Sequence, residues 1–141
     1  MTTTGLRTFD HSLATTQDWL SDVKEEMHLD DSQTAMEVAR AVLHTLRDRL
    51  TIEQAAYFAA QLPMLLQGLY YHEWTPKGKP EKIRSRDEFL ARISDKLLDR
   101  FDPAVAAEAV FRVVQRRMSA GEVDDVKSML PAEIRSLWPA S

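Results

Sequence analysis

Cysteine is missing from this chain of 141 residues. That excludes disulfides, thiolate metal sites and a cysteine nucleophile, and it suits a reducing compartment. Long apolar runs are missing too: none approaches the ~20 residues that a membrane-spanning helix needs. The opening Met1-Thr-Thr-Thr-Gly-Leu-Arg7 lacks the apolar core of a signal peptide, so we expect a cytoplasmic protein with no membrane role. Glycine is scarce, at four residues, and forms neither a phosphate-cradling loop nor a Gly-x-Ser-x-Gly turn. Spaced His, Asp and Glu sets of the kind catalysis requires are lacking as well, so neither an enzyme nor a cofactor is expected. No segment alternates like a strand. The net charge of −4 argues against generic nucleic-acid binding.

What is there is said twice. Val38 to Tyr70 recurs as Ala106 to Trp138, every matched pair lying 68 positions apart. Ala39, Ala41, Val42, Arg49, Leu62, Pro63 and Leu69 return unchanged as Ala107, Ala109, Val110, Arg117, Leu130, Pro131 and Leu137. Leu43/Phe111, Leu46/Val114, Phe58/Val126, Leu66/Ile134 and Tyr70/Trp138 keep their apolar character. Upstream, Trp19-Leu20, Val23 and Met27 match Phe89-Leu90, Ile93 and Leu97 at an offset of 70. A constant offset over such a span reads as a tandem duplication. The apolar share is ordinary for a globular chain, and the length suits one domain.

Each half reads as three to four helices. The first helix is expected near Thr15 or Thr16, whose hydroxyl can cap it. Asp31 or Ser32 caps a second, about Gln33 to Leu50, with an apolar stripe of Ala35, Val38, Ala39, Val42, Leu43, Leu46 and Leu50. Glu37, Arg40, His44, Arg47 and Asp48 take the opposite, solvated side of a half-buried helix. Thr51-Ile-Glu-Gln54 and Ser119-Ala-Gly-Glu122 are matching capping boxes. Pro63 opens a short fourth helix through Tyr71. Ser85 caps the next helix at Ser85-Arg-Asp-Glu88, and Asp102-Pro103 opens the one after it. The expected fold is an all-α compact bundle built from two tandem repeats. Repeat one covers about 15–71, a basic connector about 72–84, and repeat two about 85–139. From Lys77 to Arg86 the local charge is +4, leaving −8 on the rest.

The chain resembles the bacterial domain-of-unknown-function family 2267 over nearly its whole length. The likeness rests on Thr16-Gln-Asp-Trp-Leu20, Ala41-Val-Leu-His-Thr-Leu-Arg-Asp-Arg-Leu50, Ala60-Gln-Leu-Pro63, Gly68-Leu-Tyr-Tyr71 with Trp74 and Pro76, Asp87-Glu-Phe-Leu90, and Leu130-Pro131 with Leu137-Trp138-Pro139. It implies a small all-helical protein and supplies no activity, ligand or catalytic residue.

Candidate sites are weighed against plain structural roles. Glu25-x-x-His28 has di-iron spacing, but the matching positions are Asp95 and Leu98, so no metal is predicted. Tyr70, Tyr71, His72 and Trp74 beside Lys79 and Arg84 could bind a small anion by stacking and charge. The favoured alternative is that the aromatics pin the connector to the body. The sharpest contrast is between the copies. Where repeat two has Asp124, Asp125, Lys127 and Ser128, repeat one has Ala56, Tyr57, Ala59 and Ala60. Met64 and Leu65 replace Ala132 and Glu133. Ala56, Tyr57, Ala60, Met64 and Leu65 thus form an extra apolar face. It must be covered by the first fifteen residues, by the other half, or by another chain in a homo-oligomer or partner complex.

Overall fold

The computed structural model describes residues 4–140; the reading of Met1–Thr3 as leader-free sequence, and Ser141, lie outside it. Among the described residues there are eight helices and no strand. They run α1 (Arg7–Met27), α2 (Ser32–Arg49), α3 (Ile52–Ala59) and α4 (Met64–Tyr71), then α5 (Arg86–Lys96), α6 (Pro103–Arg117), α7 (Ala120–Ser128) and α8 (Ala132–Arg135). Residues 72–85 contain no helix.

The local signals in the sequence set most boundaries. The Asp31 carboxylate accepts from the Thr34 amide, Ser85 Oγ from that of Glu88, and Asp102 from those of Ala104 and Val105. Both capping boxes form, Thr51 with Gln54 and Ser119 with Glu122. Pro63 and Pro131 are N-caps rather than first helical residues, with nearly equal dihedrals of φ −59°, ψ 151° and φ −57°, ψ 151°. The ends of α1 and α5 also agree at an offset of 70. His28 and Leu98 are both left-handed at φ 55°, and donate to Glu25 O and Asp95 O respectively.

One boundary is corrected. α1 begins at Arg7, not near Thr15, and its N-cap Leu6 has no capping side chain. Instead Thr4 organises the entry: its amide and hydroxyl both donate to Asp10 Oδ1, and its Oγ1 accepts from the Leu6 amide. The Thr15 hydroxyl donates back to His11 O, as a mid-helix threonine can. Thr16 is buried.

α2 sits at the centre, packed against α1, α4, α5 and α6, while α6 meets α1, α2, α5 and α7. The expected α2 stripe is buried throughout. Large fully buried side chains come from both halves: Phe58, Leu66 and Tyr70 from the first, Phe89, Phe111 and Ile134 from the second. Phe111 stacks on Trp138, with ring centroids 4.3 Å apart. The α1–α6 seam is bound by ion pairs, Arg112 and Arg116 to Glu26 and Arg117 to Asp22.

Candidate functional site

A helix C-terminus leaves carbonyls without intrahelical donors, and α4 ends inside the molecule. Its last carbonyls are met by α2. His44 Nε2 lies 2.7 Å from Leu69 O, and Arg47 Nη1 donates to Tyr70 O at 2.6 Å and to the following His72 O at 2.7 Å. A carbonyl only accepts, so His44 carries its proton on Nε2. Cationic and N–H groups suit the negative end of a helix dipole.

This corrects the expected solvated side of α2. His44 and Arg47 are buried, as is every residue from Ala41 to Arg47. Burial drives the His44 pKa down to about 4, against a smaller upward pull from its bond to Leu69. Arg47 also pairs with Asp48 at 3.1 Å.

The residues predicted to bind an anion are not brought together as a site. Tyr70 is fully buried and donates its hydroxyl to Ala55 O, and burial pushes its pKa far up. Tyr71 packs edge-on to Tyr70 at 5.2 Å and tilts against Trp74 at 5.6 Å. Trp74 is half-buried, its indole N–H enclosed. These aromatics pin the start of the connector to the body. Lys79 is not a free cation: its side chain is 8% exposed, 3.8 Å from Asp48 and 3.4 Å from Glu81. Glu81 is also engaged by Arg92, and burial opposes but does not cancel the lowering of its pKa by these cations. The connector is fastened to α2 by Glu81 N–H to Asp48 O and by Arg49 Nε to Ile83 O, both 2.7 Å. Arg84 and His72 are exposed, with His72 Nε2 3.3 Å from Glu73.

The expected apolar face is divided. Tyr57 is half-buried and turns towards the other half, its hydroxyl donating to Asp125 Oδ2 at 2.9 Å. That bond raises the Tyr57 pKa. Asp125 is the residue 68 positions on, at the matched place in repeat two. Ala59, expected outside, is buried, whereas Ala56 and Ala60 are exposed.

Met64 and Leu65 look the other way, onto α1. The first fifteen residues do lie against them: Ser12 Oγ accepts from the Leu65 amide at 2.8 Å. A proline N-cap has no capping side chain, so a serine from another helix serves an orphan amide of α4. Coverage is partial. Leu6, Phe9, Met64 and Leu65 remain 55%, 50%, 53% and 48% exposed. Between the helices runs an apolar groove of about 410 Å³, lined by Phe9, Ser12, Leu13, Met64, Leu65 and Gly68. A second trough crosses α4 to Leu20, Met36 and Leu69.

In the sequence Phe9 and Leu13 read as anchors of a polar stretch onto the body, but Leu6 and the helical character of the segment are hidden because polar neighbours dilute the pattern. The spacing of Leu6, Phe9 and Leu13, three and then four, is nevertheless helical, and it continues to Thr16 and Leu20. Gly68 gave no signal, since only the packing of α4 beside α1 shows what its missing side chain leaves open.

Residues 16–137 match the sequence profile of a family described as "Uncharacterized conserved protein (DUF2267)". The chain belongs to that family. Among curated proteins, none matches it.

Proposed function

We propose that this DUF2267 member is a non-catalytic interaction module that pairs with a second copy of itself through the face shared by α1 and α4. The observation that carries the reading is a patch holding both projections and a hollow. Leu6, Phe9, Met64 and Leu65 stand about half exposed around the groove. At Gly68 nothing lies within 4 Å of where a side chain would start. A two-fold interface must fit the same patch onto itself. Here Phe9 of one copy enters the groove beside Gly68 of the other, and the reverse contact follows by symmetry.

The magnitude suits a reversible pair. Covering ~300 Å² of apolar surface on each copy would contribute roughly 15 kcal/mol at about 25 cal/mol per Å². Association costs of ~4–15 kcal/mol oppose it, leaving ~0–11 kcal/mol, a range that includes the ~8 kcal/mol of a micromolar dimer.

The non-catalytic part of the reading rests on what the polar groups do. His44 and Arg47, the buried groups best suited to chemistry, are committed to main-chain carbonyls. The cysteine-free composition supports a cytoplasmic setting, and the resemblance supports a bacterial one. We also read the two halves as duplicated copies, supported by the paired capping boxes and matched proline N-caps.

Light scattering or sedimentation over a concentration series tests the pairing. The protein should shift from monomer to dimer. Phe9→Glu and Leu65→Glu should each hold it monomeric with unchanged helicity, and Tyr57→Phe should leave the mass unaffected. A wild-type protein that stays monomeric at every concentration overturns the proposal.

A further inference from the structure

On the other side of Arg40 and His72 from the second trough lies a polar cleft of about 370 Å³, between α2, the start of the connector and the end of α5. Its wall is the α2 stripe Glu37, Arg40, His44 and Asp48, with Lys96 contributed by α5. Residues three and four apart on a helix share a face, so one side of α2 presents these groups in a column.

The free valences in that column are unequal. Glu37 is held by Arg100 at 2.9 Å, and Asp48 by Arg47 and Lys79. Glu73, 80% exposed, stays in water beside His72. Among the described residues Arg40 and Lys96 have no ion pair or hydrogen bond, so the charges left without an opposite partner around the cleft are these two cations and the water-exposed Glu73, a net excess of one positive charge. His44 is 8% exposed and lines the same cleft. Its Nε2–H is taken by Leu69 O, and its Nδ1 has no protein partner. In that tautomer Nδ1 can only accept. Nδ1 is not enclosed, so a donor entering the cleft could replace water on it.

We propose that this cleft binds a small oxyanion that also carries a hydroxyl group: Arg40 and Lys96 hold the anionic oxygens, and His44 Nδ1 accepts from the hydroxyl. The volume falls in the range of small-molecule sites. Arginine and lysine serve both carboxylate and phosphate, so the shared chemistry is a hydroxylated carboxylate or phosphate monoester. The hydroxyl distinguishes the ligand from a simple anion, since Nδ1 in this tautomer accepts from a donor and offers nothing to an anionic oxygen. This site is separate from the apolar face, and it stands whether or not the protein dimerises.

Calorimetric titration, with the imidazole ¹⁵N resonances of His44 followed by NMR, tests it. The probes are glycerol 3-phosphate and glycerate, with methyl phosphate and propionate as counterparts lacking the hydroxyl. One hydroxylated probe should bind and move the Nδ1 resonance, and whichever does so assigns phosphate or carboxylate. Its counterpart should bind roughly tenfold more weakly. Arg40→Ala and Lys96→Ala are surface changes that should keep the fold and each lower affinity at least tenfold. Four flat titrations overturn the proposal. So does binding that ignores both substitutions, or that is equal with and without the hydroxyl.

Discussion

His44 shows how a single residue can be misplaced by a pattern and then explained by chemistry. It stands among charged neighbours on α2, and the structure buries it because Leu69 O needs a donor. A pH dependence follows. Its folded pKa, about 4, lies below the ordinary value of 6.5, chiefly through burial. The unfolded chain therefore takes up the proton more readily. Stability from this group is complete above about pH 6.5 and is lost as pH falls towards 4, amounting to roughly 2–3 kcal/mol. Urea midpoints measured from pH 7 to pH 4 should show this decline. His44→Gln retains a donor for Leu69 O and has no charge to gain, so its midpoint should change less over that window. A variant that tracks the wild type would refute the assignment.

At the scale of elements, ends are set either locally or from a distance. α3 and α7 carry their own caps, and Thr51→Ala and Ser119→Ala should each lower stability by ~1 kcal/mol. Like losses from both are what the proposed duplication requires; a large inequality in chemical denaturation would speak against equivalent halves. α4 is capped from a distance at both ends, by Ser12 at its start and by His44 and Arg47 at its finish. Ser12→Ala should cost ~1 kcal/mol by leaving the Leu65 amide without an acceptor. Because Ser12 also joins the first turns of α1 to α4, the loss should appear as faster hydrogen exchange at Leu65. Unchanged exchange there would show that α4 does not depend on this contact.

At the scale of the molecule, charge and apolar surface have different tasks. The cations of α6 tie its face to α1 through Glu26 and Asp22. Burial raises the Glu26 pKa, but hydrogen bonds and charge from Arg112 and Arg116 hold it lower overall. Its ion pairs therefore weaken as acid protonates it. No helix among the described residues is long and apolar enough to cross a membrane. The proposed function gives the exposed apolar groups on α1 and α4 a protein surface to meet. If that surface is a second copy, the melting temperature should rise with protein concentration, because mass action favours whatever binds only the folded state.

The sequence by itself determined the all-helical character, the locally capped starts of α2, α3, α5, α6 and α7, and the apolar stripe of α2. Periodic apolar residues and capping side chains act over four or five positions, so their information is local. Thr51, Asp102 and Ser119 do in space what their neighbours in the chain announce. Only the tertiary structure decided that His44 and Arg47 would be inside, that Lys79 would be paired, and that Met64 and Leu65 would join Phe9 rather than Tyr57. Each depends on a partner supplied by a distant element: the carbonyls at the end of α4, the carboxylate of Asp48, the first turns of α1. A polar residue's burial depends on who meets its hydrogen-bonding groups, and a one-dimensional pattern does not contain that answer.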